Sequence, residues 1–142
     1  MRIAVISDIH GNMEALQQVS VDIEKSNVDA IICLGDMVGY GPEPEAVVQW
    51  IMSRNIPTIM GNHELNAIHF HTRHPKTGAP LREHLPKNLD QHETFLREFP
   101  LGASRTSEIV AWMQSLPLFM EFENFRVVHA CWDEAVIMDL GR

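Results

Sequence analysis

Cysteine is scarce in this sequence: Cys33 and Cys131 are the only two, and they form no C-x-x-C pair. Two isolated thiols do not make a disulfide framework, and both lie in apolar runs, where a thiol behaves as a small core residue. We therefore expect two buried free thiols and no redox chemistry. A reducing, cytoplasmic location fits these thiols, as does the absence of a signal-peptide pattern after Met1.

Positive charge is also scarce, with 11 Lys and Arg residues against 19 Asp and Glu residues and a net charge of −8. This balance argues against a protein that clamps the backbone of duplex nucleic acid. No long hydrophobic run is present, so we expect no membrane association. The phosphate-binding loop G-x-x-x-x-G-K-[ST] is missing too. The length, 142 residues, predicts a single globular domain over residues 1–142.

Strand-like and helix-like segments alternate in the first half of the chain. Residues 2–7 (R-I-A-V-I-S) predict a strand, and Asn12 then caps a segment whose apolar residues recur at helical spacing. Residues 30–34 and 56–60 predict two more strands, with a helix from Pro44 between them. The proline in the third run weakens that strand prediction, unless the proline lies at the beginning of the strand. The alternation indicates an α/β fold with a mainly parallel sheet.

The second half of the chain is less regular. Residues 69–86 have the composition of a loop. The spacing of Leu89, His92, Leu96 and Phe99 predicts one helix, and a second helix is expected to end before Pro117. Two apolar runs, residues 118–122 and 125–130, then predict a β-hairpin about a tight turn.

Polar residues follow the predicted strands where each strand ends. They are Asp8 and His10 after the first strand, Asp36 after the second, Asn62 and His63 after the third, and His129 near the end of a later one. Parallel strands end at the same edge of a sheet, so these side chains are expected to converge. Successive groups are spaced by roughly the 30 residues of one strand-helix-strand unit.

Carboxylate, imidazole and amide groups are suitable ligands for divalent metals such as Mn, Fe or Zn. Asp36 follows a glycine, and both of its oxygens could be free to bridge two cations. Two metals about 3.5–4 Å apart can hold a phosphoryl group, activate a water and stabilise the leaving oxygen. An acidic chain would then bind phosphate through its metals.

Four segments in order resemble the sequence blocks of the calcineurin-like metallophosphoesterases. They are D-I-H at residues 8–10, G-D-M-V-G-Y-G-P at 35–42, G-N-H-E at 61–64 and V-V-H at 127–129. The resemblance implies a β-sandwich of two sheets flanked by helices, with two divalent metal ions at the strand ends. It implies that Asp8 and His10 bind the first metal, that Asp36 bridges, and that Asn62 and His129 bind the second. His63 would be a non-ligand histidine that helps to protonate the leaving group during hydrolysis.

The second block is more similar to bacterial members related to dinucleoside tetraphosphatases than to protein phosphatases. Gly39 stands where protein phosphatases have a carboxylate that orients the catalytic histidine, and Tyr40 stands where they have a phosphate-binding arginine. The resemblance therefore implies hydrolysis of a phosphoester or phosphoanhydride in a small phosphorylated molecule or nucleotide, such as a dinucleoside polyphosphate.

The family pattern ends in a Gly-His-x-His block, but no histidine follows His129 here. We expect a C-terminally incomplete metallophosphoesterase domain in which each metal lacks one ligand and an open sheet edge favours oligomer contacts. One alternative is a catalytically weak or inactive fragment that binds metal or phosphate. Another is a fragment that folds only with a partner.

Each candidate residue also has a simpler interpretation. Asp8 and Asp36 fit turn positions, Asn62 fits a helix cap, and His129 fits a buried strand histidine. The order and the strand-end placement of the whole set favour the functional interpretation.

Other polar residues near these blocks have structural interpretations. His69, His71 and His74 are expected to lie in a solvated segment instead of forming a structural metal site. Glu64 is expected to fix the turn at Asn62 and His63 and not to act as a general base.

Overall fold

Two parallel strands precede the loops that carry Asp8, His10 and Asp36. The computed structural model describes residues 1–140, in which β1 (Ile3–Ile6) pairs with β2 (Ala30–Cys33), with Ile6 opposite Cys33. Helix α1 (Met13–Lys25) connects the two strands, as the alternating pattern predicts. The Asn12 side chain accepts a hydrogen bond from the Ala15 amide at 2.9 Å, which satisfies one of the free N–H groups of the first turn.

The third predicted strand is reduced to one β-bridge between Thr58 and Cys33, after helix α2 (Pro44–Ser53). The Cys33 amide donates to the Pro57 carbonyl at 2.9 Å, and the Ile59 amide donates to the Cys33 carbonyl at 3.0 Å. Proline has no N–H with which to extend this ladder, so the prediction of a full strand over residues 56–60 is wrong in extent.

Four helices follow this bridge: α3 (Asn62–His71), α4 (Pro86–Asp90), α5 (Glu93–Glu98) and α6 (Ser104–Gln114). The single helix predicted from Leu89 to Phe99 is wrong, because the chain leaves helical geometry at His92, where φ is −123° and ψ is 9°. The side chain of His92 is fully buried. The apolar spacing suggested one continuous helix, but the structure has two short helices with the buried His92 ring between them.

The chain then forms the predicted hairpin from β3 (Phe119–Glu121) and β4 (Arg126–Val128), followed by α7 (Glu134–Asp139). Residues 1–140 thus form a mixed α/β fold with one parallel and one antiparallel two-stranded sheet. None of the helices in this part of the chain has the length and apolar content that a membrane span requires.

The larger buried cluster lies between the parallel strands and the helices. It contains Leu16 of α1, Val47 and Ile51 of α2, and Phe95 of α5. Cys33 belongs to this cluster, so the prediction of a buried free thiol is confirmed for this residue. Burial raises its pKa to about 12. The matching prediction for Cys131 is wrong: this thiol is exposed, because the chain leaves the hairpin before it reaches residue 131.

Candidate metal centre

The loops after β1 and β2 are joined by backbone hydrogen bonds. The Asp8 amide donates to the Gly35 carbonyl at 3.1 Å, and the His10 amide donates to the Asp36 carbonyl at 2.9 Å. Asp8, His10 and Asp36 have positive φ values of 54°, 50° and 53°. Asp and His are among the few residue types other than glycine that are enriched in this left-handed conformation. The two loops therefore turn in the same way and bring their side chains together.

Two imidazoles in the site are oriented by backbone carbonyl groups. Nδ1 of His10 lies 3.1 Å from the Val38 carbonyl oxygen, and Nδ1 of His129 lies 2.7 Å from the Leu34 carbonyl oxygen. A carbonyl oxygen only accepts hydrogen bonds, so each Nδ1 must donate. In the neutral ring, Nε2 then carries a free lone pair, which is the form that ligates metals.

The Nε2 atoms of both rings face side-chain oxygens. Nε2 of His10 lies 3.8 Å from Oδ1 of Asp8 and 3.9 Å from Oδ2 of Asp36. Nε2 of His129 lies 3.4 Å from the same Asp36 oxygen and 3.1 Å from Oδ1 of Asn62. With Nε2 unprotonated, these converging atoms repel one another unless a cation lies among them. The donor set therefore fits divalent metal ions.

Asp36 is the residue common to both groups of ligating atoms. The residue is 3% exposed, its Oδ1 accepts the His63 amide hydrogen at 3.0 Å, and its Oδ2 faces Nε2 of both His10 and His129. In each group the ligating atoms lie within 4.8 Å of one another; the groups are Asp8, Asp36 and His129, and His10, Asp36 and His63. Asp8 is in the same group as His129, and it also lies near His10, with which the family resemblance pairs it.

His63 is buried beside this centre, at the second position of α3. Its ring centroid lies 4.8 Å from that of His10, 5.1 Å from that of Tyr40 and 5.1 Å from that of His92. Its Nδ1 atom is buried without a hydrogen-bond partner and lies against Gly39. The space that a side chain at residue 39 would occupy is thus filled by the imidazole.

The charge state of His63 follows from these surroundings. Burial lowers its pKa; the Asp36 carboxylate opposes this effect, and the positive charge of Arg82 adds to it. His63 is therefore neutral at ordinary pH, with one ring N–H and one free lone pair.

Glu64 fixes the turn at the start of α3, as predicted, and it also holds the loop that follows β2. Oε2 accepts the amides of Asp36 at 2.7 Å and Gly61 at 2.9 Å, and Oε1 accepts those of Met37 at 2.8 Å and Val38 at 3.3 Å. Burial raises the pKa of Glu64, and the backbone N–H groups oppose that rise. Its four acceptor contacts are all structural, so Glu64 is not placed to act as a base.

His69, His71 and His74, which were expected not to form a metal site, lie apart from the candidate centre. His69 and His71 lie in the last turn of α3, and His74 accepts amide hydrogen bonds from Lys76 and Thr77 within the following loop. Among the residues described, the candidate metal groups include none of these three histidines. Sequence reasoning instead missed His92 and Arg82, which lie near His63 and follow no local motif.

The fold and the convergent side chains are those of an α/β protein with polar groups gathered at the carboxyl edge of a parallel sheet. More specifically, its sequence matches the calcineurin-like phosphoesterase family over residues 1–129, and the chain belongs to that family. The resemblance of the four sequence blocks is thereby confirmed.

Similar proteins include a solved metallophosphoesterase from Sphaerobacter thermophilus, with 32% identity, a TM-score of 0.61, and coverage of 89% of this chain and 45% of that one. A symmetrical bis(5'-nucleosyl)-tetraphosphatase of Psychromonas ingrahamii is 29% identical over 89% of this chain and 42% of its own length. An uncharacterized protein of Methanocaldococcus jannaschii is 47% identical over 46% of this chain and 27% of its own. The chain thus spans less than half the length of these relatives.

Proposed function

We propose that this protein hydrolyses a phosphoester or phosphoanhydride in a metal-dependent reaction, with a nucleotide-like substrate such as a dinucleoside polyphosphate. One observation carries the proposal: the Nε2 lone pairs of His10 and His129 converge on the same oxygen of Asp36. The similarity to proteins named bis(5'-nucleosyl)-tetraphosphatase supports the substrate class.

The proposal assigns the ligand roles to five side chains: Asp8, His10, Asp36, Asn62 and His129. Asp36 would be shared between two divalent ions, since its Oδ2 lies near Nε2 of both His10 and His129. Such ions supply positive charge for a phosphoryl group and lower the pKa of water. Mn, Fe and Zn all suit imidazole and carboxylate ligands.

His63 is the proposed catalytic residue that is not a ligand. Its position beside His10 allows a ring N–H to donate to the oxygen that leaves phosphorus. A bound phosphate would raise the pKa of His63 and oppose the lowering caused by burial, so the ring could carry the proton that the leaving group needs. The Asp36 side chain holds the His63 amide and so fixes the start of α3 relative to the centre.

The Asp36→Asn variant tests this function. We expect the wild-type protein to hydrolyse an aryl phosphate or a dinucleoside tetraphosphate when Mn²⁺ is added, and to lose this activity with a chelator. The variant should lose more than about 100-fold in turnover and should bind Mn²⁺ more weakly by calorimetry. Asp22→Asn, an exposed substitution on α1, is the matched control and should change neither property.

The outcomes separate the candidate functions. Unchanged turnover in Asp36→Asn would rule out the proposed mechanism. Wild-type protein that binds Mn²⁺ without turnover would instead support the alternative of a metal-binding or phosphate-binding chain without catalytic activity.

A further inference from the structure

Tyr40 is the most exposed aromatic residue within residues 1–140, and it lies at the candidate metal centre. The residue is 58% exposed, yet its ring centroid lies 5.1 Å from that of His10 and 5.1 Å from that of His63. The rings of His10 and His63 also contact each other, with centroids 4.8 Å apart. The three rings therefore form one group, in which His63 is buried and Tyr40 faces solvent.

The backbone of Tyr40 has an unfavourable conformation. Its φ is +60°, and five other non-glycine residues of the described chain have a positive φ: Asp8, His10, Asn27, Asp36 and Asn55. Three of these are proposed metal ligands and two are asparagines, a residue type that tolerates this geometry. A bulky tyrosine tolerates it poorly, and strained residues of this kind cluster at functional sites.

Hydrogen bonds on both sides of the loop keep Tyr40 in place. The Tyr40 amide donates to the Gln91 carbonyl at 2.7 Å, and the Gly41 amide donates to the His10 carbonyl at 2.8 Å. The Thr94 hydroxyl donates to the Gly41 carbonyl at 2.7 Å. The loop is thus joined both to the loop after β1 and to the segment of α4 and α5. Because this backbone is already fixed, a ligand that contacts the ring has less ordering entropy to overcome.

The surroundings of His63 direct a departing group towards Tyr40. The proposed role of His63 is to donate a proton to the leaving oxygen, beside His10. Towards the interior its ring contacts the fully buried His92, and its Nδ1 lies against Gly39. Towards solvent it contacts Tyr40. A substituent on the leaving oxygen would therefore extend along the exposed Tyr40 ring.

An exposed aromatic ring binds planar aromatic groups by stacking. Such stacking uses the face of the ring and not hydrogen bonds, so a nucleobase and an aryl ring both suit it. An aliphatic substituent offers no such face. The metal ions would hold the phosphoryl group, and the ring would recognise what is attached to it.

We propose that Tyr40 stacks against a planar aromatic group on the leaving-group side of the substrate, and so favours nucleotides and aryl phosphates over aliphatic phosphates. This inference rests on the proposed function and names the part of the substrate, beyond the phosphoryl group, that the site recognises. The role belongs to the ring and not to its hydroxyl group, so phenylalanine should replace tyrosine here without loss of binding.

Calorimetry with Mn²⁺ and two pairs of ligands tests the inference without turnover. Benzylphosphonate and ethylphosphonate differ by an aryl ring, and adenosine 5'-monophosphate and ribose 5-phosphate differ by a nucleobase. The wild-type protein should bind the aromatic member of at least one pair about 10-fold more tightly. The pair that shows the preference distinguishes an aryl ring from a nucleobase as the group that stacks.

Variants of Tyr40 connect this preference to the ring. Tyr40→Leu keeps an apolar side chain without an aromatic face, and it should reduce the preference to less than about twofold. Tyr40→Phe should keep the preference, and Tyr40→Trp, with its larger ring, should raise it. The comparison of wild type with Tyr40→Trp stays decisive even if Tyr40→Leu does not fold.

Phe122→Ala is the matched control. Phe122 is also exposed and in ring contact, 4.4 Å from the Phe125 centroid, but it lies in the turn of the β3–β4 hairpin. This variant should keep the wild-type preference. Equal affinity for both members of both pairs in the wild type would overturn the inference, as would a preference that is unchanged in Tyr40→Leu and Tyr40→Trp.

Kinetics separate this inference from the proposed function. In Tyr40→Leu, kcat/KM for p-nitrophenyl phosphate should fall about 10-fold, mainly through KM, whereas for glycerol phosphate it should change less than about twofold. Equal losses with both substrates would contradict the role of Tyr40 and leave the proposed hydrolysis intact. A wild-type protein without turnover that still prefers the aromatic ligands would contradict only the proposed function.

Discussion

Gly39 lies directly against the imidazole of His63: a Cβ atom at residue 39 would be 2.3 Å from Nδ1 of that ring. The glycine also has a φ of +91°, a conformation that L-residues with a side chain rarely adopt. Two independent constraints therefore require glycine here, and one of them is the position of the proposed catalytic histidine.

Gly39→Ala should displace His63 as well as strain the backbone. We expect a loss of about 1–3 kcal/mol in the free energy of unfolding and at least a tenfold loss of turnover. Urea denaturation and steady-state kinetics measure the two effects. The control is Gly102→Ala, because Gly102 has a φ of +84° but no atom lies within 4 Å of the place that its Cβ would take. That variant should lose about 1 kcal/mol in the free energy of unfolding, from backbone strain alone, and should keep full activity. Identical behaviour of the two variants would contradict the contact between residue 39 and His63.

Glu64→Gln should loosen the loop that carries Asp36. The carboxylate accepts four backbone N–H groups, two on each oxygen, whereas an amide has only one oxygen to accept with. We expect the free energy of unfolding to fall by about 2–4 kcal/mol, since buried amides lose their acceptors. Chemical denaturation measures this loss. Glu24→Gln, on the exposed side of α1, should be neutral, and a similarly neutral Glu64→Gln would show that the loop does not depend on the carboxylate.

His92 should make the fold less stable in mild acid. Burial lowers its pKa to about 4, from an ordinary value of 6.5. Above pH 6.5 the ring is neutral in both states, but between pH 6.5 and 4 the unfolded chain takes up a proton that the folded chain does not. The free energy of unfolding should therefore fall as the pH decreases through this range, with up to about 3 kcal/mol attributable to His92.

Denaturation curves at several pH values measure this slope. His92→Gln should have a shallower dependence than the wild type, even if it is less stable at neutral pH. The exposed His84→Gln should keep the wild-type slope. Parallel slopes for wild type and His92→Gln would indicate that the buried ring is not what resists protonation.

The two thiols should differ in reactivity. Cys33 is buried and its pKa is raised to about 12, whereas Cys131 is exposed. A thiol reagent at about pH 8 should modify one group in the folded chain and two in denaturant, because only the accessible thiolate reacts. Mass spectrometry of peptides should place the first label on Cys131, and Cys131→Ser should abolish it. Rapid labelling of Cys33 in the folded protein would contradict its burial.

Local signals in the sequence were sufficient for much of this architecture. The alternation of apolar runs and helical segments predicted β1, α1, β2 and α2, and the caps at Asn12 and Pro44 marked where helices begin. The polar residues after each strand predicted the convergence seen around Asp36, because parallel strands place their ends together irrespective of distance along the chain.

The remaining features depend on contacts between distant segments. His92 was included in an apolar periodicity, but it lies at the break between α4 and α5, where its buried ring contacts that of His63. Arg82 comes from a loop without a pattern and obtains its position from Phe70. No pattern among their sequence neighbours marks either residue, so their positions are known only from the folded structure.

The left-handed backbone at Asp8, His10, Asp36 and Tyr40 limits how this protein can be engineered. Each such residue costs on the order of 1 kcal/mol or more, so glycine or asparagine at these positions would relieve the backbone and tend to raise the melting temperature. At the first three positions the same exchange would remove a proposed ligand. Libraries selected only for heat resistance should therefore accumulate inactive clones at these residues, and screens for a durable catalyst must hold them constant.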